Sequence, residues 1–313
     1  MKNFALTGAA GFVAPRHMRA IRDTGHRLLA AVDPSDSVGA LDQHGLDVAF
    51  FTEIERFDRH LEKLRRGPRE GRIDYVSVCS PNFLHDAHCR LGLRIKADVI
   101  CEKPVVINPW NLDALEDLEA ESGRRIWTIL HLRTHDRLAA LREEIQAEPS
   151  RTRHDVVLTY VTPRGRWYDT SWKGQPDKSG GLASNIGIHF FDLLLWMFGA
   201  VEGARVHRND PRRMSGFLEL ERARIRWFLS VEADDLPRHA RGNNAPFRSI
   251  AVDGTEIEFS DGFEDLHTRI YARTLAGQGF GIPDARPSIE LAHRLRSAAL
   301  SPPTSDLHPY LER

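Results

Sequence analysis

Glu102-Lys103-Pro104 combines a residue type and a position that suggest proton-transfer chemistry. The tripeptide follows the apolar run "DVIC", which we expect to be a strand, and open α/β sheets place their ligands at the carboxyl ends of such strands. Pro104 keeps Lys103 extended, so its ammonium can project into the cleft. Lys103 could act as a base if burial and a positive nicotinamide ring lower its pKa. On its own, the tripeptide is also common on protein surfaces.

A second polar pair, Asn185 and His189, interrupts an apolar helical pattern behind Gly180 and Gly181. Residues four apart share one helical face, and the two glycines permit a close backbone approach. A histidine on such a helix is usually a core residue. The pair behind the glycine turn favours a functional site instead.

The stretch "TGAAGFVA" has the spacing Gly8-x-x-Gly11-x-x-Ala14 between an apolar strand pattern and a helix. Such a turn lets the backbone approach a pyrophosphate, which the helix N-terminus favours. Asp33 ends the second predicted strand, where a carboxylate can accept a hydrogen bond from a ribose 2′-hydroxyl and repel a 2′-phosphate. The pattern therefore predicts NAD rather than NADP. Asp33 could instead be a simple turn residue before Pro34.

The same glycine spacing occurs in short-chain dehydrogenases and nucleotide-sugar epimerases, whose catalytic tyrosine requires a lysine four residues later. None of the five tyrosines has that lysine: Tyr75, Tyr160, Tyr168, Tyr271 and Tyr310. The sequence therefore excludes this chemistry.

Cations and aromatic rings alternate in the segment 163–181, which we expect to be a loop. Arginine grips carboxylates and phosphates with paired hydrogen bonds, and aromatic rings offer stacking faces. The segment therefore predicts an anionic substrate, although a solvated basic loop is the alternative. The predicted substrate contacts are Arg164, Arg166, Trp167, Tyr168, Ser171, Lys173, Asn185 and His189.

The elements around these residues predict an α/β protein with two domains. Short apolar runs alternate with helical patterns in the first third, which is typical of a parallel sheet. After residue 150 we expect a strand at 154–162, a buried helix at 182–198 and several further strands up to residue 262. Helical patterns follow at 263–275 and 288–300. The predicted boundary gives domains 1–130 and 131–313.

Bulk properties exclude several classes of partner. The 313 residues include 43 basic and 44 acidic side chains, which gives no electrostatic case for nucleic acid or an anionic membrane. No apolar run suggests a signal peptide or a membrane span, so we expect a cytoplasmic protein. The three cysteines are far apart and are expected to be reduced, and no metal is expected.

Taken together, the motifs resemble the glucose-fructose oxidoreductase/inositol dehydrogenase (Gfo/Idh/MocA) superfamily over essentially the whole chain. The resemblance rests on four segments: Gly8–Ala14, "SPNFLH" at Ser80–His85, Glu102–Pro104 and Gly180–Asp192. It implies a Rossmann doubly wound parallel sheet followed by an α+β domain with an open, mainly antiparallel sheet. That second domain shapes the sugar site and often mediates oligomerisation, so we expect a homo-oligomer, either a tetramer or a dimer.

The resemblance also assigns site residues. The expected catalytic residues are Lys103, His189 and Asn185. The expected cofactor contacts are Gly8, Gly11, Phe12, Val13, Asp33, Ser35, Ser80, Asn82, His85, Glu102, Lys103 and Trp172. Asn185 stands where the family usually has an aspartate, and an uncharged amide cannot raise the basicity of His189. Lys103 is therefore the better candidate base, but the sequence leaves the choice between Lys103 and His189 open.

Within the superfamily, the segments "RGRWY", "SWKG" and "DPSDSVG" look like those of the WlbA-type UDP-N-acetylglucosaminuronate 3-dehydrogenases. The resemblance implies NAD-dependent oxidation of the sugar C3 hydroxyl, in the synthesis of 2,3-diamino-2,3-dideoxyuronic acid for lipopolysaccharide O-antigen. 2-Oxoglutarate is a candidate hydride acceptor for recycling the cofactor. The alternatives are another sugar or polyol dehydrogenase of the superfamily and a non-catalytic NAD-binding sensor. The role of Phe263–Tyr271 is left open, and His85 with His88 is assigned to the cofactor side rather than to a metal.

Overall fold

Two compact units are present in the computed structural model, which describes residues 1–243, 245–257, 259, 263–302 and 305–311. The first unit comprises Met1–Thr134 and Glu264–Arg286, and the second comprises His135–Phe263 and Pro287–Arg313. The segment 264–286 therefore packs with the N-terminal residues, although the sequence boundary near residue 130 assigns it to the C-terminal domain.

The first unit is built on a six-stranded parallel sheet with the order β3-β2-β1-β4-β5-β6, as the sequence predicts. Its strands are β1 (Asn3–Thr7), β2 (Arg27–Val32), β3 (Ala49–Phe51), β4 (Tyr75–Val78), β5 (Asp98–Cys101) and β6 (Ile126–Thr128). Its helices are α1 (Ala14–Asp23), α2 (Ile54–Arg66), α3 (His85–Arg94) and α4 (Trp110–Ser122). Strands β1 and β4 are buried along their whole length, as expected for a parallel sheet covered on both faces.

The strand order reverses between β1 and β4. Open α/β sheets bind ligands at such a switch point, beside the carboxyl ends of the strands. The glycine turn follows β1 and the Glu102-Lys103-Pro104 segment follows β5. The fold therefore brings both predicted motifs to the same edge of this sheet.

The returning segment of the first unit contains helix α9 (Leu266–Leu275) and the first residues of α10 (Ile282–Ser297). Ile270 and Tyr271 of α9 lie in the same apolar core as β1 and α1. The backbone N–H of Thr128 in β6 donates to the carbonyl of Phe280 at 2.8 Å. The segment therefore contributes to both the core and the sheet edge of this unit.

The second unit contains a six-stranded sheet with the order β12-β11-β7-β10-β9-β8. Its strands are β7 (His154–Val161), β8 (Val201–Asn209), β9 (Arg213–Leu220), β10 (Ala223–Ser230), β11 (Phe247–Val252) and β12 (Thr255–Glu256). All pairings are antiparallel except that of β7 with β10, which confirms a mainly antiparallel sheet. The sequence patterns missed β8, and the end of the predicted strand at 255–262 lies partly outside the described residues.

The helices of the second unit are α5 (Asp136–Ala147), α6 (Trp167–Thr170), α7 (Pro176–Ser179) and α8 (Ile188–Phe198), with a π-helical turn at Ala183–Gly187. The expectation of a plain loop at 163–181 was wrong, because α6 and α7 lie within it. Residues 176–198 form the one helical segment, among the described residues, that is long and apolar enough to cross a membrane. Its apolar window is 72% buried, which is typical of a core helix.

Replacing Ile270 with alanine tests whether the returning segment stabilises the first unit. The side chain is 1% exposed, so its truncation leaves a cavity that lowers the free energy of unfolding by about 2–5 kcal/mol. Equilibrium urea unfolding followed by circular dichroism measures the loss. Ala272→Ser, at an exposed position of the same helix, is the control and changes the value by less than about 0.5 kcal/mol. An unchanged unfolding curve for Ile270→Ala would contradict this packing.

Candidate functional site

The glycine turn after β1 has the geometry that a bound anion requires. Gly8 has φ +81°, and a Cβ there would lie 2.6 Å from the backbone of Cys79 and Ser80. Helix α1 begins without a side-chain cap and has no acidic residue in its first turn. Its positive end is therefore available to a phosphate group. The ring of Phe12, 79% exposed, lies beside this end, with the Arg16 guanidinium 5.4 Å from its centroid.

Asp33 supports this turn directly. One carboxylate oxygen accepts the backbone N–H of Ala10 at 3.0 Å, and the other accepts that of Ser35 at 2.9 Å. The second contact is the local Asx-type turn that Asp favours, so the simple turn reading of Asp33 describes a real part of its role. The carboxylate remains exposed at the end of β2, where its role toward a ribose stays a prediction.

The "SPNFLH" segment follows β4 as a short helical turn that leads into α3. His85 is buried, with Nδ1 2.6 Å from the Pro104 carbonyl and Nε2 2.8 Å from the Ser80 carbonyl. His85 thus joins the segments that follow β4 and β5. His88 pairs with the Ser80 hydroxyl at 2.8 Å, and burial lowers the pKa of His88 to about 4.

The most constrained group at this sheet edge is the carboxylate of Glu102. Its Oε1 accepts hydrogen bonds from Nε2 of His17 at 3.0 Å and from Nε2 of His267 at 3.1 Å. Its Oε2 accepts the backbone N–H of Lys103 at 3.3 Å. Burial alone would raise the pKa of Glu102, but the two histidine hydrogen bonds outweigh it and hold the pKa well below its ordinary value. Glu102 is therefore a buried anion.

The network continues behind His17 into the core of the first unit. The Tyr271 hydroxyl lies 2.8 Å from Nδ1 of His17 and 2.6 Å from the Ser77 hydroxyl. Burial lowers the pKa of His17, so its imidazole is neutral, with its proton on the Nε2 that faces Glu102. His131 stacks on His267 with ring centroids 6.0 Å apart, and burial lowers the pKa of His131 to about 3.

In the second unit, Asn185 lies in the π-helical turn and His189 in the first turn of α8. Both are partly exposed, whereas Ile186, Gly187 and Ile188 between them are buried. The two polar side chains thus share the accessible side of a buried helix, as the spacing predicts. The Asn185 side chain hydrogen-bonds the phenol of Tyr168, whose pKa burial raises.

The cation-rich segment is held in place by Arg212. Its guanidinium binds Asp169 at 2.7 Å, the Arg164 carbonyl at 2.8 Å and the Glu232 carboxylate. The Lys173 ammonium lies 5.5 and 5.7 Å from the ring centroids of Trp167 and Trp172. Burial and the nearby charge of Arg164 lower the pKa of Lys173.

These cations therefore form an ordered group rather than a freely solvated loop. Ser171, predicted to contact substrate, instead shows a structural role. Its hydroxyl donates to the Tyr168 carbonyl at 3.0 Å and accepts the Lys173 backbone N–H at 3.2 Å.

Sequence reasoning missed the two histidines that bind Glu102. His17 lies on the buried face of α1 with Ala14, Met18 and Ile21, so a histidine in the apolar stripe of an amphipathic helix was the available signal. His267 lies in the segment whose role was left open, and nothing local distinguishes it. Among the described residues, His17, Glu102 and His267 are also the one group that could offer three ligand atoms to a metal ion, within 4.8 Å of one another.

Comparisons with known proteins agree with both units. The family model described as "Oxidoreductase family, NAD-binding Rossmann fold" matches residues 2–130, and "Oxidoreductase family, C-terminal alpha/beta domain" matches residues 154–232. The crystal structure of the WlbA (WbpB) dehydrogenase from Thermus thermophilus, in complex with NAD and UDP-GlcNAcA, is 49% identical with a TM-score of 0.94. The match covers 99% of this chain and 100% of that one. The same enzyme in complex with NAD and alpha-ketoglutarate gives a TM-score of 0.95.

Curated relatives are more distant. D-glucoside 3-dehydrogenase of Escherichia coli (strain K12) is 27% identical over 140 residues, which are 43% of this chain and 39% of that protein. Dehydrogenase FPY6 of Fusarium mangiferae is 26% identical over 214 residues, which are 64% of this chain and 59% of that protein. The chain thus spans about half the length of these relatives.

A paired glycine experiment tests the turn after β1. Gly8→Ala and Gly25→Ala both place a side chain at positive φ, but a Cβ at Gly25 meets nothing within 4 Å. Left-handed backbone alone costs about 1–2 kcal/mol, so Gly25→Ala lowers the melting temperature slightly and leaves NAD+ affinity unchanged. Gly8→Ala additionally displaces the Cys79–Ser80 backbone and weakens NAD+ binding by more than about tenfold, a 1.4 kcal/mol effect, measured by calorimetric titration. Equal NAD+ affinity in the two variants would contradict the role of the turn.

Proposed function

Because the chain belongs to the Gfo/Idh/MocA oxidoreductase family, we propose that it oxidises the C3 hydroxyl of UDP-N-acetylglucosaminuronic acid to a ketone with NAD+. The observation that carries this proposal is the 49% identity, over 99% of the chain, to a dehydrogenase crystallised with NAD and UDP-GlcNAcA. In this proposal, residues 1–130 bind the cofactor and residues 131–313 bind the sugar nucleotide.

The first unit has the features that a dinucleotide requires. The uncapped N-terminus of α1 and the turn at Gly8 suit a pyrophosphate, and the exposed Asp33 carboxylate at the end of β2 suits a ribose hydroxyl rather than a phosphate. When bound, NAD+ accepts a hydride from the substrate. The proposed contacts of Phe12, Val13, Ser35, Ser80, Asn82, His85, Glu102 and Trp172 with the cofactor follow the family resemblance.

Lys103 is proposed to take the proton of the C3 hydroxyl while the C3 hydrogen leaves as hydride. The products are the 3-keto sugar, a protonated lysine and the reduced cofactor. His189 is proposed to hydrogen-bond the reacting hydroxyl. Because Asn185 carries no charge and bonds Tyr168, it orients the site without acting as an acid or base.

The anionic part of the substrate is assigned to the ordered cations of the second unit. Arg164, Arg166 and Lys173 supply positive charge, and Trp167 is half exposed and offers a stacking face. Partial burial strengthens such charge–charge contacts relative to those in water. A uronate carboxylate and a diphosphate are the two anions that a UDP-uronic acid presents to them.

Further parts of the proposal rest on the resemblance. They are a UDP-sugar as substrate, 2-oxoglutarate as the acceptor that recycles the cofactor, a homo-oligomer (tetramer or dimer), a cytoplasmic location and a role in lipopolysaccharide O-antigen synthesis. The related Thermus enzyme in complex with NAD and alpha-ketoglutarate supports the recycling step.

A substrate panel tests the proposal. Purified protein with NAD+ and UDP-N-acetylglucosaminuronic acid should form NADH, or 2-hydroxyglutarate when 2-oxoglutarate is added, because a tightly held cofactor can be regenerated in place. Absorbance at the nicotinamide band and mass spectrometry detect the two products. UDP-N-acetylglucosamine, which lacks the carboxylate, is the matched control and should react poorly. Turnover confined to free sugars or polyols would favour another dehydrogenase of the family, and no turnover at all would favour a non-catalytic role.

Replacing Lys103 with methionine tests the assignment of the base. The variant keeps the length of the side chain and removes the proton acceptor, and general base catalysis contributes about 10²–10⁴-fold to rate. We expect kcat to fall by that order while the Kd for NAD+ stays nearly unchanged. Lys178→Met, in the second unit, is the control and keeps most of the activity. Near-normal turnover by Lys103→Met would transfer the role of base to His189.

A further inference from the structure

The Glu102 carboxylate joins three parts of the first unit that are far apart in sequence. His17 reaches it from α1 and His267 from α9, through hydrogen bonds of 3.0 and 3.1 Å to the same oxygen. The other oxygen accepts the backbone N–H of Lys103. A displacement of this carboxylate would therefore move the backbone of the proposed base.

The direction of the hydrogen bonds shows why the carboxylate keeps its charge. Oε1 accepts from both imidazoles, so each must carry its proton on Nε2. The other nitrogen of His17 can then accept from the Tyr271 hydroxyl, which in turn accepts from the Ser77 hydroxyl. Every polar atom along this path is paired without a proton passing to Glu102. The result is an anion buried next to Lys103 in the chain.

We propose that His17 and His267 are positioning residues of the dehydrogenase site, acting through the Glu102 carboxylate on the backbone and on the charge of Lys103. The inference rests on the proposed role of Lys103. The two histidines hold the carboxylate in one orientation, and the carboxylate holds the Lys103 backbone. Its negative charge also favours the ammonium form of the lysine.

This charge counteracts the lowering of lysine basicity that the positive nicotinamide ring produces. Lys103 is thereby kept basic enough to accept the substrate proton, and a base that has lost Glu102 becomes a weaker proton acceptor. The groups whose charge or titration bears on this region are Arg16 and His17 from α1, Cys79 after β4, His85 from α3, Cys101 from β5, His131 after β6, and His267 and Tyr271 from α9. Among these, Glu102 is the carboxylate.

The charge effect can be measured without substrate or cofactor. The chain has six lysines, so reductive methylation with ¹³C-formaldehyde gives few NMR signals, and Lys103→Met identifies that of Lys103. We expect the pKa of Lys103 to fall by about 1 unit in Glu102→Gln, the lower end of the effect of a removed opposite charge. Glu62→Gln, on the exposed face of α2, leaves it unchanged. An equal Lys103 pKa in the wild-type protein and Glu102→Gln would overturn the inference.

The positioning effect is measured by kinetics with UDP-N-acetylglucosaminuronic acid. His267→Leu removes the donor to Glu102, and a small displacement of a catalytic group can cost about 10²-fold in rate. We expect kcat to fall by about tenfold to a hundredfold with little change in the Kd for NAD+. His267→Gln restores an N–H near the position of Nε2 and recovers most of kcat. His60→Leu, at a histidine packed on Phe51 away from the motifs, is the control for histidine removal and keeps normal kinetics.

A purely structural role for the histidines predicts different results. The melting temperature and kcat would then fall together in both His267 variants, glutamine would give no recovery, and the pH dependence of kcat would not move in Glu102→Gln. Those results would overturn the inference. Stoichiometric zinc in the purified protein that is lost in His267→Leu would also overturn it, because the three side chains would then be metal ligands. If the wild-type protein does not oxidise the substrate, the proposed function fails, while the NMR titration still tests the effect of Glu102 on Lys103.

Discussion

A buried carboxylate is tolerated only where enough donors replace the water that it has lost, and the first unit is organised around one such group. Glu102 lies at the end of β5 and receives donors from α1, from α9 and from the next backbone amide. This requirement explains why the segment 264–286 belongs to the first unit. The helix that returns brings His267 to Glu102 and fills the core with Ile270 and Tyr271.

The same sheet edge carries the proposed chemistry. The glycine turn after β1, the histidine bridge after β4 and the Glu102–Lys103 segment after β5 all follow carboxyl ends of parallel strands. Each segment is fixed by contacts to another: Gly8 packs against Cys79 and Ser80, and His85 reaches the Pro104 carbonyl. The cofactor-side residues are therefore placed by one connected set of backbone contacts.

Local sequence patterns were sufficient for much of this arrangement. Continuous apolar runs predicted the parallel strands, and the spacing of Asn185 and His189 predicted their shared face, because both signals arise from neighbours along the chain. The partners of Glu102 could not be predicted in this way, since His17 and His267 lie 85 and 165 residues away. Strand β8 was missed, because its mostly half-exposed residues do not show the apolar run of a buried strand. The short helices α6 and α7 depend on anchoring by Arg212, which no local pattern shows.

The central claim, that this chain removes a hydride from C3 of a UDP-uronic acid, is tested most directly by isotope transfer. UDP-N-acetylglucosaminuronic acid with deuterium at C3 is incubated with the protein and NAD+, and the reduced cofactor is examined by mass spectrometry and NMR. The account predicts that the deuterium is recovered on the nicotinamide ring and that the sugar product is the 3-ketone. Reduced cofactor without deuterium would show that the hydride comes from another carbon and would contradict the account.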